Sequence, residues 1–189
     1  MNKILHIFLI SLFSLTVISC AEKEESTDST ATTTTTSSPL FVGVGDNGTI
    51  LTSSDGTTWT SRTSGTTEKL RGGAYGNSTL VVVGFSGTIL TSSDGTTWTS
   101  RTSGTSKDIN NVHYADSAFV VVGDNGTVLS SSDGITWTDE TSDCGAWDNE
   151  SLWDVAYGSS TWVAVGDNGS IYTSDGSTCT KRTSGTTVE

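Results

Sequence analysis

The chain has little of what a helical, disulfide-rich or nucleic-acid-binding protein needs. Its 189 residues include one proline, three cysteines and two histidines, and no segment shows the apolar period of an amphipathic helix. Pro39 is the sole proline, so no strand that follows it is interrupted. Lysine and arginine number 9 against 21 aspartates and glutamates, which gives a net charge of −12. We expect no nucleic-acid partner, because binding phosphates needs a cationic surface.

The first nineteen residues predict a secretory signal peptide. Lys3 gives a positive start, and residues 4–18 are overwhelmingly apolar but shorter than the roughly 20 residues of a membrane-spanning helix. The Ser19-Cys20 junction resembles the lipobox of bacterial lipoproteins, which implies a lipid on Cys20 and membrane anchoring. Ala21 after the cysteine implies, by the same resemblance, the outer membrane of the cell envelope. The alternative is an ordinary signal peptide that happens to hold a cysteine.

Residues 20–38 predict a tether. This Ser/Thr-rich segment contains no aromatic residue, and beyond Cys20 its apolar side chains are Ala21 and Ala31. Such a composition cannot bury enough surface to offset the entropy of ordering. The chain therefore divides into a leader at 1–19, a tether at 20–38 that starts from a lipidated Cys20, and a folded domain at 39–189.

The folded part repeats itself four times. Asp55, Asp94, Asp133 and Asp175 head equivalent segments that are 39, 39 and 42 residues apart, and residues 48–66 recur unchanged at 87–105. Each copy has a β-branched run, a turn of the Asp-Asn-Gly type, a second run, an Asp-Gly turn and a third run. Asn-Gly between β-rich runs is a strong hairpin signal, because both residues tolerate positive φ.

This pattern predicts an all-β protein, a β-propeller of about four four-stranded blades. A pitch near 40 residues is typical of propeller blades, whereas β-solenoid coils are shorter and β-sandwiches do not repeat their turns so faithfully. The segment that precedes the β-branched run occurs three times, at 70–75, 109–114 and 152–157, and copy one lacks it. We therefore expect fifteen strands, one short of closure. A neighbouring chain supplies the missing strand, or the arc stays open, or the array is a shortened one; because an open edge tends to pair, we favour self-association through the open propeller edge.

The Asp-Gly turns resemble the Asp-box, or bacterial neuraminidase repeat, of secreted propellers that include photosystem-assembly-like factors. This chain departs from the usual box, which has one more residue between Asp and Gly, and copy four has Thr173 and Cys179 at the Ser and Trp positions. The resemblance implies a structural turn away from any active site, in which Asp accepts amide hydrogens and Trp packs between blades. The residues that carry it are Ser53, Asp55, Gly56, Trp59, Ser92, Asp94, Gly95, Trp98, Ser131, Asp133, Gly134, Trp137, Asp175 and Gly176.

Candidate catalytic residues are scarce. Sialidases that share the Asp-box need three converging arginines, a Tyr/Glu nucleophile pair and an acid. Arg62, Arg101 and Arg182 fall at equivalent positions on outer strands of different blades, and copy three has Glu140 there. His113 is the sole histidine after the leader and lacks the partners of a triad or a zinc site. We expect no catalytic residue, no metal and no cofactor.

Two cysteines remain after Cys20. Cys144 lies in the single insertion of the repeat array, and Cys179 replaces a blade tryptophan. Because export permits disulfides, a Cys144–Cys179 bond is the favoured interpretation, and two buried or free thiols are the alternative.

A binding site is expected where the copies differ. The first segments carry Arg71, then Asn110 and Asn111, then Trp153 and Asp154 at equivalent positions, and propellers line their central channel with this segment. The insertion adds Trp147 nearby, and two tryptophans among polar groups suit a sugar-stacking or protein-contact surface. They suit the packing of a longer loop equally well.

Together these features predict a lipid-anchored envelope propeller that binds or scaffolds a protein or a glycan without catalysis. A sialidase-like glycoside hydrolase is the alternative, and an assembly factor for an envelope complex is a weaker one suggested by the family resemblance alone.

Overall fold

The computed structural model describes residues 16–19 by their backbone, and residues 40–141 and 150–185 in full. The described residues form sixteen β-strands and four short 3₁₀ turns, with no α-helix among them. The strands are β1 Thr16–Ser19, β2 Phe41–Val44, β3 Ile50–Ser53, β4 Thr60–Arg62, β5 Leu70–Gly76, β6 Thr79–Gly84, β7 Ile89–Ser92, β8 Thr99–Arg101, β9 Ile109–Ala115, β10 Ala118–Gly123, β11 Val128–Ser131, β12 Thr138–Asp139, β13 Leu152–Gly158, β14 Thr161–Gly166, β15 Ile171–Ser174 and β16 Cys179–Arg182.

The strands form four antiparallel sheets, each made of four strands that are consecutive in the chain. We name these sheets blade 1 (β1–β4), blade 2 (β5–β8), blade 3 (β9–β12) and blade 4 (β13–β16). The first strands of successive blades lie next to each other, as β5, β9 and β13 do, so they are the innermost strands. The predicted four-bladed β-propeller is confirmed.

Blade 1 differs from the sequence-based expectation, which left it without an innermost strand. In the structure β1 fills that position and pairs antiparallel with β2, with Thr16 opposite Val44 and Ser19 opposite Phe41. Thr16, Val17 and Ile18 are β-branched, and such residues favour strands. The expectation of fifteen strands is therefore wrong, and the sixteenth comes from the segment that the sequence assigns to the leader.

The tight turns between the second and third strands have the backbone that was predicted. Asn47 and Gly48 have φ values of 55° and 65°, and the Phe85-Ser86-Gly87 turn repeats this conformation. A Cβ atom built on Gly48 would lie 2.0 Å from the carbonyl oxygen of Thr66. This position therefore accepts glycine alone, both for its φ and for the space around it.

The core lies between the blades. Val42, Val44 and Ile50 of blade 1 pack against Leu80 and Leu90 of blade 2. The same arrangement recurs between blades 2 and 3 and between blades 3 and 4. Each sheet thus hides its flank against its neighbour, since a single four-stranded sheet cannot cover both of its own faces.

The Asp-Gly turns are held by hydrogen bonds to the aspartate. The Oδ1 atom of Asp55 accepts from the backbone N–H groups of Thr57 and Thr58, at 2.8 and 2.7 Å, and from the Ser53 hydroxyl at 2.9 Å. The turns at Asp94 and Asp133 repeat this pattern. These donated hydrogens stabilise the carboxylate, so the pKa of each of these aspartates is lowered from its ordinary value.

The turn of copy four keeps its aspartate and its serine but is one residue shorter between them. Asp175 accepts from the N–H groups of Ser177 and Thr178, which lower its pKa. Ser174, one residue closer to the aspartate than Ser53 is to Asp55, accepts from the N–H of Gly176 at 3.1 Å. Ser174 lies opposite Trp162 as Ser53 lies opposite Phe41, whereas Thr173 accepts from Arg182 as Thr52 accepts from Arg62. The sequence-based placement of Thr173 at the Ser position is therefore wrong, because this copy has one residue fewer between its serine and its aspartate.

The predictions for the amino-terminal segment concern residues outside the described ranges. These are the leader at 1–15, the lipidated Cys20 and the tether at 20–38. Among the residues that are described, no helix has the length and apolar character to cross a bilayer.

Candidate functional site

A β-bulge near the start of each innermost strand of blades 2, 3 and 4 displaces one side chain. The pairing of β5 with β6 skips from Leu70 to Gly72, which leaves Arg71 outside the register. Asn110 and Trp153 occupy the same position in β9 and β13. Bulges bend a strand and re-aim a side chain, so the three repeats direct equivalent residues toward one another.

Arg71 lies at the centre of the resulting group. Its Nη1 atom donates to Oδ1 of Asn110 at 2.5 Å. The guanidinium carbon lies 4.4 Å from the centroid of the Phe85 ring and 5.5 Å from that of Trp153. Since cations are attracted to aromatic faces within about 6 Å, Arg71 helps to fix both rings.

Asn110 connects three blades through one buried amide. It is 6% exposed, and its Nδ2 donates to Oδ1 of Asp124 and to the carbonyl oxygen of Leu152, at 2.9 Å each. With the bond from Arg71, its side chain reaches blades 2, 3 and 4. Its role is to hold the other side chains in place, because it offers solvent almost no surface.

The outer layer of the group is exposed and acidic. Trp153 is 46% exposed, and its Nε1 donates to Oδ1 of Asp167 at 2.5 Å. Asp154 is exposed and accepts from Nδ2 of Asn111 at 2.6 Å. We call the whole set the inner-strand cluster; it comprises Arg71, Phe85, Asn110, Asn111, Asp124, Trp153, Asp154 and Asp167.

The cluster offers an aromatic ring beside hydrogen-bond acceptors. The cluster holds three carboxylates, which accept hydrogen bonds from Asn110, Asn111 and Trp153, against one guanidinium. The whole chain carries a net charge of −12. Such a surface favours a ligand that presents amide, hydroxyl or cationic donors together with a face that stacks on indole.

Five of the six predicted binding residues therefore meet, and the sixth lies outside the described residues. Arg71, Asn110, Asn111, Trp153 and Asp154 form the core of the inner-strand cluster. Trp147 belongs to residues 142–149, which are not described, and so does Cys144. The Cys144–Cys179 bond accordingly stays a prediction.

Sequence reasoning missed Phe85, Asp124 and Asp167. All three start the turn after the second strand, where copies one, three and four read Asp-Asn-Gly and copy two reads Phe-Ser-Gly. The replacement of aspartate by Phe85 was the signal, since it breaks the repeat beside the one arginine of the innermost strands.

The repeated arginines lie elsewhere. Nε of Arg62 donates to Oγ1 of Thr52 at 2.8 Å on the outer edge of blade 1, and Arg101 and Arg182 make the same bond in blades 2 and 4. In copy three Glu140 accepts from Ser130 instead. These side chains brace the outermost strands of separate blades and do not meet in one site.

His113 takes part in packing. Its ring makes an edge contact with Trp162 of blade 4, with centroids 6.0 Å apart. No group of three His, Cys, Asp or Glu residues that could hold a metal ion is found within the described ranges.

A concavity apart from the inner-strand cluster lies between blades 3 and 4, where Cys179 replaces the blade tryptophan. It has a volume of about 320 Å³ and is lined by Val120, Val155, Trp162 and Cys179 among others. In blades 2 and 3 the tryptophans Trp98 and Trp137 pack against the corresponding clusters. The smaller side chain therefore leaves this boundary less filled.

Comparisons with known proteins bear on the fold. No family model matches the chain, and neither does any curated protein. It is similar to a solved structure described as YCF48 bound to D1 peptide, with a TM-score of 0.58 and 15% identity over 75% of this chain and 50% of that one. It is also similar to YCF48 from Cyanidioschyzon merolae, with a TM-score of 0.57 and 18% identity over 78% of this chain and 53% of that one. A third similar structure is the GH74 enzyme of Niastella koreensis, with a TM-score of 0.52 and 20% identity over 75% of this chain and 22% of that one. At these identities the likeness shows a β-propeller fold, and the chain spans about half the length of the YCF48 structures.

Proposed function

We propose that the chain is a non-enzymatic binding or scaffolding propeller whose inner-strand cluster binds an extended polypeptide segment of a partner protein. The observation that carries this proposal is the convergence of Arg71, Asn110 and Trp153 from bulges in three successive blades. Identical repeats elsewhere serve stacking, whereas these equivalent positions hold three different residues, and Arg71 contacts the other two. A solved propeller of similar fold is bound to a peptide, which supports this class of ligand.

The chemistry of the cluster favours a basic or amide-rich segment. Trp153 presents nearly half of its surface, and Asp154 beside it is exposed. An exposed aromatic residue held by fixed neighbours is typical of binding hot spots, and truncating one costs about 2 kcal/mol or more. Arg71, whose guanidinium carbon lies 5.5 Å from the ring centroid, and Asn110, which accepts from Arg71, act as positioning residues.

We further propose that the domain works at the cell envelope on a lipid anchor at Cys20, as an outer-membrane lipoprotein of the Asp-box type. The hydrogen bonds of the four Asp-Gly turns support the Asp-box assignment, and the Ser19-Cys20 junction supports the anchor. Detergent-phase partitioning tests the anchor. The wild-type chain should enter the detergent phase, and Cys20→Ser should shift it to the aqueous phase.

A selection from a random peptide library tests the binding proposal. The wild-type chain should enrich peptides with lysine, arginine, asparagine or glutamine, and Trp153→Ala should abolish the enrichment. Tyr75→Ala is the matched control, since Tyr75 is 41% exposed on β5 and is not part of the cluster. Equal enrichment by Trp153→Ala would overturn the assignment of the site.

Two further assays separate the alternatives. Binding on a glycan array that Trp153→Ala abolishes, without any peptide enrichment, would replace the polypeptide by a sugar. A fluorogenic sialoside should be hydrolysed no faster than in buffer, because Arg62, Arg101 and Arg182 lie apart on outer strands. Hydrolysis that depends on the chain would establish the glycoside hydrolase alternative.

A further inference from the structure

One equivalent position of the repeat is buried three times and exposed once. Val44, Val83 and Val122 lie at or next to the end of the second strands of blades 1, 2 and 3 and are 0%, 0% and 1% exposed. Val165 has the same place in blade 4 and is 40% exposed. The side chains are identical, so the difference comes from what covers them.

The rest of this flank behaves in the same way. Ile50 of blade 1 and Ile89 of blade 2 are 0% exposed, whereas the equivalent Ile171 of blade 4 is only half-buried. Val163 is half-buried whereas Val42 and Val81 are 0% exposed; Val120 of blade 3, which lines the concavity beside Cys179, is half-buried too. We call the face that each blade turns toward the next blade in the chain its trailing flank. In blade 4 the trailing flank consists of Val163, Val165 and Ile171.

The opposite face of blade 1 is also more exposed, among the described residues, than the same face of blade 3. Leu51 is half-buried, whereas the equivalent Leu90 and Leu129 are 1% exposed. Phe41 is half-buried, whereas the equivalent Phe119 is fully buried. We call Phe41, Leu51 and Trp59 the leading flank; all three lie on or beside β2–β4 and none belongs to the leader.

These two flanks are the two halves of one recurring interface. At each internal boundary the trailing flank of one blade packs against the leading flank of the next, so that Val44 shares a cluster with Leu90. Val83 shares one with Leu129, and Val122 shares one with Tyr172. What blade 4 leaves uncovered therefore fits what blade 1 leaves uncovered.

We propose that a second copy of this chain completes the interface, with the trailing flank of each copy packed against the leading flank of the other. Both contacts are then the same and are related by a two-fold axis, which closes a ring of eight blades. The chain covers about half the length of the two YCF48 structures, so two copies together have about the length of one such chain. Eight blades lie within the range that propellers adopt.

We infer a second copy as the partner of these flanks, because the boundaries between blades of one copy already show how the two flanks pack. The leading flank of a copy offers Leu51 where Leu90 and Leu129 cover the equivalent valines inside the arc. Burying four such flanks removes exposed apolar surface at both ends of the arc at once, which is the main driving force for association. This inference does not depend on the ligand of the inner-strand cluster.

The molar mass of the intact chain in detergent solution tests the proposal, with bound detergent subtracted by combined light scattering, absorbance and refractive index. Wild-type chain should have twice the mass of one copy. Val165→Glu should weaken association about 30-fold or more, since it places a charge in an apolar interface. Val165 is exposed within one copy, so the change leaves the fold of that copy intact. Ile135→Glu is the control, because Ile135 is 47% exposed in the Asp-Gly turn of blade 3 and belongs to neither flank.

A rescue pair checks the head-to-tail arrangement. Leu51→Lys alone should also give monomers. The chain with both Val165→Glu and Leu51→Lys should regain the doubled mass, because each interface then pairs the introduced carboxylate of one copy with the introduced ammonium group of the other. A wild-type monomer at high concentration would overturn the proposal. A dimer that survives Val165→Glu, a double variant that stays monomeric, or open-ended polymers would each overturn it as well.

Discussion

Nη1 of Arg71 donates to Oδ1 of Asn110 at 2.5 Å, and the two residues are 39 residues apart, one repeat length. They occupy equivalent bulges of neighbouring innermost strands. Stacking of the repeats thus brings the bulge residue of one blade into contact with the bulge residue of the next. Because this residue differs between copies, a cluster of different side chains forms on a repetitive fold.

Asn110→Ala should destabilise the fold by about 2 kcal/mol. The change removes the bonds to Arg71, Asp124 and the carbonyl of Leu152 and leaves that carbonyl without its side-chain donor. Urea unfolding followed by tryptophan fluorescence gives the free energy of unfolding. Asn111→Ala, which loses an exposed bond to Asp154 and the bond from the Val112 N–H, should cost clearly less, about 1 kcal/mol. Equal losses in the two variants would contradict the role assigned to Asn110.

Gly87→Ala should cost clearly more stability than Gly104→Ala. Both glycines have positive φ, at 70° and 80°, so both variants carry the backbone strain of about 1 kcal/mol or more. A Cβ on Gly87 would also lie 2.0 Å from the carbonyl oxygen of Thr105, whereas a Cβ on Gly104 would meet nothing within 4 Å. Thermal unfolding of the two variants measures the difference. Similar melting temperatures would show that the backbone around Gly87 can move to accommodate the methyl group without loss of stability.

Stability should fall in acid because of the Asp-Gly turns. Backbone N–H donors lower the pKa of Asp55, Asp94, Asp133 and Asp175 in the folded state, so the unfolded chain binds protons first as pH falls. Their contribution is complete above the unfolded value of about 3.9 and is lost as pH falls from there through the lower folded values. Unfolding in urea at a series of pH values should show this decline.

A charge-matched pair of variants tests the cause of that decline. Asp94→Asn keeps an oxygen for the turn but cannot titrate, so its stability should fall less steeply below about pH 4 than that of the wild type. Glu68→Gln removes the same charge outside the Asp-Gly turns. If Asp94→Asn and Glu68→Gln change the slope equally, general charge repulsion rather than the turns controls acid stability.

The mass of the protein isolated from membranes should show whether β1 belongs to the working molecule. The proposed lipoprotein processing removes residues 1–19, which include Thr16–Ser19, and leaves blade 1 with three strands. Intact-mass spectrometry should find the chain starting at a lipid-modified Cys20. A mass that includes Met1 would contradict the processing and retain the sixteenth strand.

The architecture could be predicted from the sequence because each repeat contains the turn residues of its own hairpins. Asp46-Asn47-Gly48 predicted a turn with positive φ, and the structure has one. The aspartates of the Asp-Gly turns were expected to accept amide hydrogens, and they do. The positions of Arg71, Asn110 and Trp153 followed from their place in the first segment of each copy.

The contacts within the site needed coordinates. A bulge changes the register by one residue and so decides whether Arg71 or Gly72 leaves the pairing, which composition does not reveal. The pairing of Trp153 with Asp167 likewise depends on where the turn after the second strand lies against the bulge. The innermost strand of blade 1 was missed because apolar β-branched residues suit a leader and a strand alike.

A calorimetric titration with a basic peptide from the library selection tests the central claim most directly. Wild-type chain and Arg101→Ala, whose arginine braces an outer strand, should bind that peptide with equal dissociation constants. Trp153→Ala should raise the dissociation constant about 30-fold or more, and Arg71→Ala should raise it about tenfold, because Arg71 only positions the ring. Unchanged binding by both Trp153→Ala and Arg71→Ala would show that the inner-strand cluster is not where this propeller meets its partner.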